Sequence, residues 1–173
     1  MTPAEIERVL ENTPGFYRNY VQEAGLGDVV ENLRAQLTTA REVFANQFRD
    51  RLDRRYAPGK WSVIEILGHL IDGERVFIYR AMRFSHNDQT PLPGYDEDEF
   101  IANSNYSARG VDNLLEEFEG LRRATIALYQ GLTEEEKWRL GTANGNQISV
   151  YALFLATVGH FNHHLRVVQE RYA

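Results

Sequence analysis

Three of the five histidines, His160, His163 and His164, sit within one stretch, VGHFNHHLRVV (residues 158–168), that otherwise reads as a buried helix. Residues four apart on a helix differ by about 40° around its axis and lie one turn apart, so His160 and His164 project side by side and can reach one ion. His163 and His164 diverge by about 100°, which makes one imidazole of the three surplus. Leu153, Ala156, Thr157, His160, His164 and Val167 follow three- and four-residue steps and define the inner face. His163 falls at the edge of that stripe and reads as a partly exposed surface histidine. Two imidazoles hold a divalent ion weakly, so a metal reading needs a third ligand from elsewhere. His69, between Leu67 and Leu70 on a face that must be buried, is a better candidate than His86 in a loop.

Three neutral imidazoles with no carboxylate suit zinc, nickel, copper or iron. Three protein ligands also leave a coordination position for water or substrate, which is the pattern of a catalytic site. Phe161 stands where the H-E-x-x-H motif carries its glutamate, so the stretch is not a zinc-protease signature. The competing reading is a set of core or dimer-contact histidines satisfied by hydrogen bonds.

Helices must carry these residues. Ser62 and Glu65 form an S-x-x-E capping box, and Ile66, His69, Leu70, Gly73, Phe77, Ala81 and Phe84 then follow at helical spacing to about residue 84. An earlier long helix, capped by Asp28, is traced by Val30, Leu33, Leu37, Phe44 and Phe48 to about Leu52. A third is expected over 107–131, with Leu114, Leu115, Phe118, Leu121, Thr125 and Leu128 inward, and a fourth over 149–172. Short helices are expected near the start, with Thr2 as cap and Pro3 first in the helix, over 16–24, and after the Thr133/Glu136 capping box. The stretch SHNDQTPLPGYDEDEFIANSNY is expected to be an irregular loop joining the second and third long helices, with Tyr95 and Phe100 anchoring it as a lid. GTANGNQ reads as a turn-rich loop in which Asn144 and Asn146 supply turn geometry, with contact to a substrate as the lesser reading. The fold class is therefore all-α: a single domain over 1–173 built as a four-helix bundle, with residues 1–26 as an N-terminal helical extension.

Several charged residues have two readings. Asp72 either orients a histidine of the site or pairs with an arginine. Glu74, Arg75, Arg80 and Arg83 either form a cluster in which arginines recognise an anionic substrate or make a solvated helix face. The run Asp96-Glu97-Asp98-Glu99 lacks the spacing of a calcium loop and reads as solvated or as a helix N-terminus.

The net charge is −6 over 173 residues, and Lys60 and Lys137 are the sole lysines, so no basic patch exists to neutralise a phosphate backbone. The absence of cysteine excludes disulfides, thiolate ligands and a cysteine nucleophile. Neither a leader peptide nor a membrane-length apolar run is visible, and a soluble cytoplasmic protein is expected.

The segments KWSVIEILGHLIDGERVFIYRAMRF (60–84), TPLPGYDEDEF (90–100), GTANGNQIS (141–149) and GHFNHHLRVVQERY (159–172) resemble the DinB/YfiT-like superfamily of bacterial four-helix proteins. That resemblance implies a divalent metal, nickel or zinc first and iron next, on His69, His160 and His164, with water in the remaining positions. It further implies a homodimer, a small-molecule substrate or low-molecular-weight thiol as partner, and a metal-dependent reaction such as thiol-dependent transfer. The alternative is a non-catalytic metal-binding or stress-response protein of the same fold.

Overall fold

The expected capping box opens the helix that carries His69. In α4 (Val63–Ser85) the Ser62 hydroxyl accepts from the Glu65 N–H, and the Glu65 carboxylate accepts from the Ser62 N–H at 2.7 Å. A computed structural model describes residues 3–11 and 13–173, so the expected cap at Thr2 lies outside the described residues. Two short helices, α1 (Pro3–Glu11) and α2 (Gly15–Glu23), precede α3 (Val29–Ala40), which Asp28 caps by accepting from the Glu31 N–H. The other long helices are α7 (Val111–Gly131) and α9 (Val150–Arg171). The chain is all-α apart from one hairpin, with α3, α4, α7 and α9 as the bundle.

The first long helix does not stay α-helical to Leu52. Residues Arg41–Gln47 widen into a π-helix, closed by Phe48 N–H to Val43 carbonyl at 2.9 Å, and Arg49–Arg51 tighten into a 3-10 turn. The wide turn carries Val43, Phe44 and Phe48 into the buried face together.

The helix α9 is buried on all sides from Val150 to Phe161. Helix α2 lies directly against it, and a Cβ built on Gly159 would stand 1.7 Å from the Tyr20 carbonyl oxygen. Only glycine permits that approach. Beneath lies a buried ion pair that ties the whole bundle. Arg122 on α7 donates to both Glu74 carboxylate oxygens on α4 at 2.9–3.0 Å, to the Leu33 carbonyl at 3.1 Å and to Gln36 Oε1 at 2.6 Å on α3. Gln36 in turn donates to the Val158 carbonyl and to Asn162 on α9.

The stretch after α4 is less irregular than expected. It contains α5 (Glu97–Ala102) and α6 (Tyr106–Arg109). Asp96 caps α5 by accepting from the Glu99 N–H, and the acidic run then lies at the positive end of the helix. Gly110, at φ 78°, separates α6 from α7 and moves the start of the third helix to Val111.

The expected loop GTANGNQ is a hairpin. After α8 (Glu134–Lys137), β1 (Leu140–Ala143) pairs antiparallel with β2 (Asn146–Ser149). The turn between them places Asn144 and Gly145 at φ 49° and 73°, both left-handed, as a type I′ turn demands. This hairpin pins the preceding segment. The Leu92 N–H donates to the Thr142 carbonyl at 2.9 Å, and the Asn144 N–H to the Leu92 carbonyl at 3.0 Å. Among the described residues no helix is long and apolar enough to cross a membrane.

Candidate metal centre

Helices α4 and α9 face each other where His69, His160 and His164 converge, with one ring nitrogen from each lying within 4.8 Å of the others. The Nε2 atoms of His69 and His160 are 2.9 Å apart, a separation that lets both lie about 2 Å from one ion. His164 Nε2 is buried and has no hydrogen-bond partner, the sole such side-chain atom among the described residues. A buried acceptor left bare is costly, and its position beside two further imidazoles fits a metal ligand set. Gly73 makes room for this arrangement: a Cβ there would stand 2.7 Å from His160 Cε1. Aromatic rings close the sides, with Trp61 centred 4.5 Å from His69 and Tyr20 5.1 Å from His160.

Burial pushes the His69 pKa down to about 4, and burial, followed by the neighbouring imidazoles, holds His160 and His164 well below the ordinary value. All three are therefore neutral at pH 7 and offer lone pairs to a cation. The same depression sets a pH dependence for ion-free protein. Below about pH 6.5 the unfolded chain binds protons that the folded chain refuses, so stability falls as pH drops towards 4. His69 alone accounts for on the order of 3 kcal/mol of that loss. Urea midpoints of chelator-treated protein measured from pH 7 to 4 check this, and a flat profile contradicts it.

The other histidines lie elsewhere. His163 Nδ1 meets the Glu23 carboxylate at 3.0 Å, a contact that Arg166 shares, so this residue helps to hold α2 on α9. His86 caps the end of α4 against the Met82 carbonyl. Asp72 accepts from the Tyr106 hydroxyl and lies 3.8 Å from Arg75, which matches the charge-pairing reading.

The imidazoles form the floor of a cavity of about 150 Å³ whose wall includes Tyr17, Tyr20, Arg80, Tyr95, Glu97 and Asn144. Among the described residues, Glu97 is the one carboxylate in this wall and Arg80 the one cation. The acidic run thus divides its labour. Asp96 caps α5, Asp98 accepts from Trp61 Nε1 at 2.9 Å, and Glu97 turns to the cavity. Trp61, Glu97 and His164 also wall a second, more open cavity of about 370 Å³, bordered by Lys60 and Tyr56. Residues of the wall that spacing alone does not indicate are Tyr17, Tyr20, Trp61 and Glu97, while Asn144, expected first to supply turn geometry and only second to contact a substrate, lies in the wall. One usable signal was the Asn-Gly pair, which marks a hairpin turn and with it the fixed place of Asn144.

A search of curated proteins found no match. Among solved structures the chain is similar to YfiT from Bacillus subtilis, described as a probable metal-dependent hydrolase with an unusual four-helix bundle topology. The two are 20% identical with a TM-score of 0.67, over 98% of this chain and 87% of that one, a likeness of fold. The three-histidine group, with its nitrogens within 4.8 Å of one another, is of a kind that can hold a metal ion. Residues 32–168 match the DinB superfamily, from the first turn of α3 to near the end of α9, and the chain belongs to that superfamily.

Proposed function

We propose that His69, His160 and His164 hold one divalent ion, nickel or zinc before iron, and that the protein is a metal-dependent hydrolase acting on a small molecule. The observation that carries this reading is the buried, partnerless His164 Nε2 beside the 2.9 Å His69–His160 pair. When bound, the ion supplies Lewis acidity and lowers the pKa of a coordinated water or thiol. The chain's own groups do the rest. Glu97, half-buried in the cavity wall, would take up a proton from the nucleophile. Trp61, Tyr20 and Phe77 keep bulk water from the imidazoles.

A second reading, transfer to or from a low-molecular-weight thiol, draws support from the second cavity. Because His164 and Glu97 wall both spaces, two reactants can approach the histidines from different sides.

Elemental mass spectrometry of tag-free protein tests the ligand set. Wild type and His163→Ala are expected to carry close to one ion per chain, and His69→Ala and His160→Ala to lose it. Wild-type protein that cannot be loaded with nickel, zinc or iron overturns the proposal. A loaded protein that hydrolyses nothing and conjugates no thiol favours the non-catalytic alternative.

A further inference from the structure

The charged residues of α4 do not share one fate. Glu74 is locked to Arg122, Arg75 pairs with Glu117, and Arg83 pairs with Asp88. Arg80 alone lines the cavity, and it has no carboxylate partner among the described residues. It is only 4% exposed, and its guanidinium donates to the Tyr17 hydroxyl at 2.6 Å and the Pro93 carbonyl at 2.8 Å. Both acceptors are neutral. Tyr17 does not serve as a hidden counter-ion, because burial raises its pKa more than the adjacent guanidinium lowers it.

A buried guanidinium is costly to desolvate unless an anion compensates it. The chain nevertheless orients this one carefully. Pro93 follows Leu92, which the hairpin pins, and Tyr17 comes from α2, which packs on α9. The Asn144 side chain lines the same cavity, in space that exists because Gly94 has none: a Cβ there would meet Asn144 Oδ1 at 2.5 Å. The Asn144 amide makes no side-chain hydrogen bond among the described residues, so it too is available to a ligand.

We propose that Arg80, assisted by the Asn144 amide, anchors the carboxylate of a small organic acid whose other end reaches the three histidines. This deepens the preceding section and rests on its reading of the cavity as the reaction site. Arg80 follows His69 by eleven residues, close to three whole turns, so both lie on one face of α4. Arginine side chains lean towards the N-terminus of their helix, which brings the guanidinium back over the cavity. A planar fork suits a carboxylate, and the single cation of the wall matches a monoanion better than a doubly charged phosphate.

Ligand-observed NMR with butyrate, its neutral isostere butyramide and inorganic phosphate tests the assignment on zinc-loaded wild type, Arg80→Met and Arg80→Lys, and on His69→Ala without zinc. Wild type is expected to bind butyrate at least tenfold more tightly than butyramide or phosphate. Arg80→Met should lose that preference while keeping its zinc, and Arg80→Lys, which retains charge but not the fork, should lose most of it. In His69→Ala, which lacks a proposed ligand, butyrate should still be preferred. That separates the anchor from direct coordination, so failure of the metal reading leaves this result intact. Equal butyrate affinity in wild type and Arg80→Lys overturns the anchor even if Arg80→Met fails to fold. Preference for phosphate, or no binding of butyrate by wild type, overturns the ligand class.

Discussion

Replacing Arg122 with methionine is expected to lower the unfolding free energy by about 3–5 kcal/mol, because it strands the Glu74 carboxylate in the core. Both side chains are almost wholly inaccessible, at 1% and 2%, so no water can take over. The loss reaches beyond the pair. Leu33 carbonyl and Gln36 lose a donor on α3, and Gln36 is the group that links to Val158 and Asn162 on α9. Methionine retains much of the apolar contact that the arginine makes against Phe118 and Phe161, so the effect reads charge and hydrogen bonding rather than volume. Urea denaturation measures it, and the double variant Arg122→Met with Glu74→Gln should recover part of the loss. A single-variant loss below about 1 kcal/mol would show that the pair contributes little relative to its desolvation cost.

Gly159→Ala is expected to be the most damaging single-methyl change. Its Cβ would meet the Tyr20 carbonyl carbon at 2.6 Å and the Ala24 nitrogen at 2.9 Å, and these are backbone atoms that no rotamer change can move. Alanine gains about 1 kcal/mol in helix propensity over glycine, but overpacking against backbone costs about 3 kcal/mol and here acts on one docked element. The damage should concentrate in α2, which brings Tyr17, Tyr20 and Glu23 to the centre. Hydrogen exchange should therefore show lost protection over residues 15–23 while α4 and α7 stay protected. Unchanged protection there would contradict the close approach of α2 and α9.

The histidine trio was readable because it follows from helical arithmetic: His160 and His164 share a face of α9, and His69 sits on the buried face of α4. The capping boxes at Ser62 and Thr133 were equally local, each needing four residues to be recognised. The wall of the cavity was not local. Glu97 is one acid in a run of four, and its role depends on Asp96 capping α5 and Asp98 meeting Trp61. Tyr17 and Tyr20 belong to the centre because Gly159 admits α2, a contact between residues more than a hundred positions apart. The hairpin is a different case. Its Asn-Gly turn is a strong short-range signal, but strands of four residues do not show alternation that a pattern search can find.

The two facing histidines, His69 and His160, are separated by 91 positions in the chain. An ion held as proposed would close a loop of that length in a molecule that has no cysteine with which to close one. In the chain-entropy view, a permanent bond across such a loop is worth about 4–5 kcal/mol, most of it by restricting the unfolded chain. The imidazole pair is thus the point at which this protein can acquire a removable staple: a chelator would act on it as a reductant acts on a disulfide-bonded domain.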